Sequence, residues 1–194
     1  MPQASHRAIA ATFAAMALAA AAPALAQTAP KWVVDPAHSS LGFESSAEGA
    51  AFEGHFDRWS ADIRFDSKAL ANSKVVVTVD TASVGTGDGG RDQTAQGSDW
   101  FSSVMFPKAT FTTRVIKDLG GGRYEADGDL VVRDKTQPVV LPFTLAIKGD
   151  EADMSGQLDL DRTLFGVGTG EYGGADIVPL NVKVKVDLVA RLAK

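Results

Sequence analysis

The feature that most constrains this chain is alternation. Val182, Val184, Val186 and Leu188 interleave with Lys183, Lys185 and Asp187. Successive side chains of a strand point to opposite faces, so this run has one dry face and one wet face. The same period returns in Val75, Val77 and Val79 set against Val76 and Thr78, and in Ala61, Ile63 and Phe65 set against Asp62, Arg64 and Asp66. Phe111, Thr113 and Val115 repeat it, as do Tyr124 to Val132 and Val139 to Ile147, while Gly156, Leu158 and Leu160 share one face. Turn-forming residues part these runs at Gly120-Gly121-Gly122, Asp134-Lys135, Gly149-Asp150 and Gly173-Gly174. Short strands at that spacing, without a long amphipathic helix, predict an antiparallel barrel or sandwich. The alternation lapses once, from Gly85 to Phe106. There Arg91 to Gln96, then Ser98-Asp99-Trp100-Phe101, read as one or two short helical turns lying across one end of the β structure.

The first residues follow a different rule. Arg7 precedes an apolar run from Ala8 to Ala22, and Pro23 ends it before Ala24-Leu25-Ala26, a small-x-small cleavage pattern. A spanning helix needs about 20 apolar residues, and this run is shorter and Ala-rich. A cleavable signal peptide over 1–26 and one domain over 27–194 are expected, with export to the periplasm and no integral membrane segment. The net charge is −5, and losing Arg7 with the leader makes the remainder more negative still. Such a balance argues against nucleic acid as a partner. Cysteine is absent, which removes disulfides, thiolate metal sites and a Cys nucleophile from consideration. A 45% hydrophobic composition is left to hold the fold through its core.

Several apparent motifs fail for want of context. Gly85-Gly87-Gly90 and Gly168-Gly170-Gly173 match G-x-G-x-x-G, but a dinucleotide site needs that motif between a strand and a helix of a parallel unit. Here they read as turns. Outside the leader the histidines are His38 and His55, in no metal-ligand spacing. Asp127/Asp129 and Asp159/Asp161 lie on strand faces, with neither the loop ligands of a calcium site nor the opposed carboxyls of a glycosidase. No G-x-S-x-G elbow occurs. These residues point to no catalytic group, no metal and no cofactor.

The aromatic residues are more informative. Most fit a core, but Trp100, Phe101, Met105 and Phe106 fall where alternation stops, so they either cap the core or line a cavity mouth. At this point the order of residues resembles the YceI-like, polyisoprenoid-binding family. The resemblance begins at Trp32-Val33-Val34-Asp35-Pro36-Ala37-His38-Ser39-Ser40-Leu41-Gly42-Phe43 and continues through Gly54-x-Phe56 with Trp59 and Ile63-x-Phe65-Asp66. It runs on through Arg91-Asp92, Asp99-Trp100-Phe101 and Phe106-Pro107-x-Ala109-Thr110-Phe111, then Tyr124-x-Ala126-x-Gly128-x-Leu130, Thr136-x-Pro138-Val139 and Asp161-Arg162 with Phe165-Gly166-Val167-Gly168.

The resemblance implies an extended eight-stranded antiparallel β-barrel, lipocalin-like, with a short helical segment near one end. It further implies an exported, non-enzymatic protein holding an isoprenoid or other long-chain lipid, quinone-like ligands included, in the barrel interior. The oligomeric state stays open, a homodimer included. An eight-stranded barrel is wide enough either to be filled by side chains or to hold one ligand, so a structural or adaptor module with a packed barrel is the alternative. An enzyme using His38 is a more distant one. For the carrier, the expected ligand-binding residues are Phe43, Phe65, Trp100, Phe101, Phe106 and Phe111, with Arg91 at a polar or phosphate head.

Overall fold

The structure, a computed structural model, describes residues 28–194; the expected leader over 1–26 lies outside the described residues. The strands are β1 (Lys31–Val34), β2 (Ser40–Ala47), β3 (Ala50–Phe56), β4 (Trp59–Arg64), β5 (Lys74–Asp80) and β6 (Val84–Gly85). After helix α1 (Gly89–Gln96) come β7 (Lys108–Gly120), β8 (Arg123–Val132), β9 (Lys135–Lys148), β10 (Glu151–Asp161) and β11 (Asn181–Leu192). All pairings are antiparallel, and the order β1-β4-β5-β7-β8-β9-β10-β11 closes on itself through β1 and β11. That ring is the expected eight-stranded barrel. Segments β2, β3 and β6 prolong it from β11 at one end.

Local chemistry explains the breaks. Between β1 and β2, Pro36 has no N–H to give a ladder, and the Asp35 carboxylate accepts from the Ala37 N–H at 3.1 Å to make a short turn. The β2–β3 hairpin turns on Glu48-Gly49, both at positive φ, the left-handed geometry that two-residue hairpins require. The turn expected at Asp134-Lys135 sits one residue earlier. Arg133 takes the positive φ, and Lys135 already pairs with Val132.

One stretch of the predicted alternation is corrected. A bulge between Thr113 and Val115 in β7 inserts an extra residue, which flips the side chains that follow, as far as a second shift after Asp118, to the other face. Val115 is therefore exposed and Ile116 takes the inward place. Elsewhere the expected inward sets face the interior: Val75, Val77 and Val79 from β5, and Val182, Val184 and Val186 from β11.

The two ends of the barrel differ. One is packed by Trp32, Ile63, Phe65, Ile116, Tyr124 and Ala126 with partners from β10 and β11. Trp32 Nε1 donates to the Phe65 carbonyl at 3.0 Å, and Tyr124 stacks on Phe143 at 5.4 Å and meets Phe65 edge-on at 5.9 Å. At the opposite end β6 pairs only with His55 and Phe56 of β3, so the first half of β3 has β2 on one flank and no strand on the other. Helix α1 and the loops 97–107 and 162–180 gather at that end. The helix begins where the Asp88 carboxylate accepts from the Arg91 N–H at 2.9 Å, a side-chain cap, and is tied down where the Asp92 carboxylate accepts from the Thr86 N–H and hydroxyl.

Candidate functional site

Between the packed end and the loops lies a cavity of about 460 Å³, within the range of small-molecule sites. Its wall is almost wholly apolar, built from the inward valines above, Leu41, Leu141, Leu158 and a set of aromatic rings.

The glycines explain why so many large rings leave the interior hollow. Phe43 stands opposite Gly54 on the next strand, and its ring lies so close over that glycine that an added Cβ would sit 2.6 Å from Cε1. Phe111 lies likewise over Gly128, where an added Cβ would be 2.5 Å from the ring and 2.6 Å from the Thr112 carbonyl oxygen. Each ring lies down along the wall because its neighbour lacks a side chain.

Of the residues singled out from sequence, Phe43, Phe65, Arg91, Trp100, Phe101 and Phe111 line this cavity. Phe106 is not part of its wall. Ser102 takes a positive φ and its carbonyl accepts from the N–H groups of both Met105 and Phe106, so the chain reverses after Phe101. The Phe106 ring instead lies under the Arg133 guanidinium at 5.7 Å, and its carbonyl accepts from the buried Thr81 hydroxyl.

Polar groups on the wall are few, and several of them gather toward the loop end. The Arg91 guanidinium stacks over Phe52 at 4.1 Å and makes no ion pair among the described residues, because Asp88 spends its carboxylate on the Arg91 backbone. Ser45 pairs across the ladder with Phe52, so both side chains share the inward face. Its hydroxyl is buried and unpartnered, as is Trp100 Nε1. Sequence reasoning missed Ser45 and Phe52, whose only signal was their parity with Phe43 and Phe56.

Comparison with known proteins agrees with this architecture. A family model described as the YceI-like domain matches residues 32–190. The chain belongs to the YceI-like family. A UPF0312 protein of Vibrio parahaemolyticus is 36% identical over 139 residues, 70% of this chain and 73% of the relative. One from Shewanella oneidensis is 28% identical over 91% of this chain and 94% of its own length. Among solved structures, BcnA of Burkholderia cenocepacia is 35% identical with a TM-score of 0.77, covering 80% of this chain and 98% of that one. A polyisoprenoid binding domain from Saccharophagus degradans aligns over 84% of this chain and 99% of its own at a TM-score of 0.67; at 18% identity the likeness is one of fold.

The YceI-like barrel here is closed over by a loop wired to one buried side chain, Arg162, 4% exposed. Its guanidinium donates to six carbonyls, those of Val167, Gly168, Tyr172, Gly174, Val178 and Pro179, at 2.6–3.0 Å. The neighbouring Asp161 carboxylate accepts instead from the Thr163 hydroxyl and N–H, which hold its pKa below the usual carboxylate value. Burial pushes the Arg162 pKa down, the Asp161 charge offsets part of that, and the Trp100 ring at 5.3 Å adds a cation–π contact. Sequence reasoning quoted Asp161-Arg162 only as part of the resemblance and missed this role. His38 and His55 lie outside the cavity, each beside an aspartate, Asp35 at 3.0 Å and Asp57 at 3.2 Å.

Proposed function

We propose that this YceI-like chain is a non-enzymatic binding and carrier protein that holds one long-chain amphiphile, isoprenoid-like or of similar build, in the barrel interior. The observation that carries the reading is the cavity, hollow and walled by apolar side chains along the barrel's length. Burying a chain of methylenes contributes about 0.8 kcal/mol each, so affinity needs no reactive group. A packed barrel, the premise of an adaptor module, does not describe this interior.

In this reading the tail lies against Phe43, Phe65, Phe111 and the valine stripes, while Trp100 and Phe101 flank the loop end. Arg91 meets the polar head, which a planar guanidinium holds in a bidentate way when the head is a phosphate or carboxylate. The polyisoprenoid binding named for the Saccharophagus degradans domain suggests the isoprenoid class, quinone-like ligands among them. The Ala-rich leader supports the periplasm as the place of action.

Organic extraction and mass spectrometry of the purified protein should recover a long-chain lipid, and farnesol and farnesyl phosphate should both raise its melting temperature. Arg91→Met should weaken farnesyl phosphate at least tenfold and leave farnesol unchanged. No extracted lipid together with no thermal shift by either compound would refute the carrier reading. Equal loss of both compounds in Arg91→Met would refute the head-group assignment.

A further inference from the structure

The segment Trp100-Phe101-Ser102-Ser103-Val104-Met105-Phe106-Pro107 carries more apolar surface than a surface loop requires, and the fold buries only part of it. Trp100 and Phe101 turn into the cavity wall, whereas Val104 is 95% exposed and Met105 72% exposed. This display is held in place. Ser103 is buried, its N–H donates to the Gln96 carbonyl at 3.0 Å, and the Ser102 N–H donates to the Gly97 carbonyl at 2.8 Å. Arg133 donates to the carbonyls of both Trp100 and Gly166, which laces this turn to the adjoining loop bearing the exposed Leu164. Other exposed aliphatic residues, such as Val33, Val115 and Val140, stand singly on the barrel wall.

We propose that the Val104-Met105 tip inserts into the surface of a lipid bilayer and sets the loop end of the barrel against it. Two features select a bilayer over a protein partner. The tip is convex and two residues wide, far from the roughly 800 Å² per partner that a stable protein interface buries. A bilayer accepts such a wedge without a matching surface. Residues 102–107 also carry no charged side chain, so insertion drags no ion into the apolar layer, where one would oppose entry. With a net charge of −5, the docking is driven by apolar insertion and not by attraction to anionic lipid. For a carrier this face is the useful one, since Arg91, Phe52 and Tyr172 line the cavity at the same end.

The test uses phosphatidylcholine vesicles. The protein should float with them, equally at low and high salt, and V104D/M105D should lose at least tenfold of the bound fraction. Because the chain has no cysteine, Val104→Cys offers a single site for an environment-sensitive fluorophore, whose emission should brighten and shift to the blue on adding vesicles. Unchanged flotation in V104D/M105D, or a label that stays in water, would overturn the proposal. So would a wild-type dimer in sedimentation velocity that dissociates in V104D/M105D, which would make the tip a self-association surface. Binding of the apolar dye N-phenyl-1-naphthylamine separates this from the carrier reading. V104D/M105D should bind it like the wild type, and failure of the wild type to bind it would count against the cavity reading while leaving flotation to be judged alone.

Discussion

The ring-over-glycine contacts yield a prediction whose sign is diagnostic. In an ordinary strand position, Gly→Ala stabilises by about 0.4–1 kcal/mol because it restricts the unfolded chain. At Gly54 the atoms nearest the new methyl all belong to the Phe43 ring, among them Cε1 at 2.6 Å and Cε2 at 2.7 Å. The ring can escape by swinging off the wall, and the space available is the cavity. Overpacking of this kind costs about 1 kcal/mol at the lower end of its range, or about 2–4 °C in Tm for a chain of this size. At Gly128 the methyl meets the Phe111 ring and also the Thr112 carbonyl oxygen at 2.6 Å. That oxygen belongs to the β7 backbone and cannot rotate away, so Gly128→Ala should cost about 3 kcal/mol, about 6–12 °C in Tm. The ligand assay should reverse the order of interest. Gly54→Ala should weaken N-phenyl-1-naphthylamine binding at least tenfold, because the displaced ring occupies the cavity. Phe43→Ala in the Gly54→Ala background should restore the melting temperature relative to Phe43→Ala alone. If Gly54→Ala raised Tm and bound the dye as tightly as the wild type, the ring would not be lying on the glycine and the account of the hollow interior would fail.

Arg162→Met removes six hydrogen bonds from carbonyls that are partly buried, and should destabilise by at least about 3 kcal/mol in urea titration. Arg162→Lys, with three donors, should recover only part of it, and amide exchange should accelerate over residues 166–178 more than in β11. Trp32→Phe deletes the indole bond to the Phe65 carbonyl and leaves that buried acceptor unpaired, so a loss of about 1–3 kcal/mol is expected from the urea midpoint. Acid should unfold the protein through its depressed carboxylates. Asp161, held down chiefly by the Thr163 hydroxyl, and Asp80, held down chiefly by Arg58, have folded pKa values below their unfolded ones. Their stabilisation is complete above the ordinary carboxylate value of about 4 and is lost as pH falls through it and below. Urea midpoints should therefore decline below about pH 4, and less so in Asp161→Asn.

The barrel was legible because its inward positions obey one rule over long stretches, as in Val75-Val77-Val79 and Val182-Val184-Val186. The rule fails where a single residue is inserted. Nothing in Thr113-Arg114-Val115-Ile116 announces the bulge, since Val115 and Ile116 are equally apolar and only the pairing to β8 selects between them. Phe106 lies off the cavity wall for a related reason. A positive φ at Ser102 carries no residue signature, unlike one at glycine, so the reversal that turns Phe106 away from the cavity is invisible in the letters. Arg162 escaped notice because an arginine beside an aspartate reads as a surface pair. Its real partners are backbone carbonyls, which every sequence has, brought to it by a loop whose path no local pattern encodes. Arg91, a cation in the one stretch where alternation stops, lines the cavity.

The closure of the ring has a kinetic side. Strand β11 pairs with β10, with β2 and with β1, where Trp32 faces Leu192 and Val34 faces Ala190. The first strands described thus find their second neighbour only when the last one is present. Contacts between such distant positions are slow to form because chain entropy is lost before they reward it. During synthesis, β1 and β2 must therefore wait with an unpaired flank until residues 181–192 have emerged. A chain built this way stays open while it is being made and locks at its final strand.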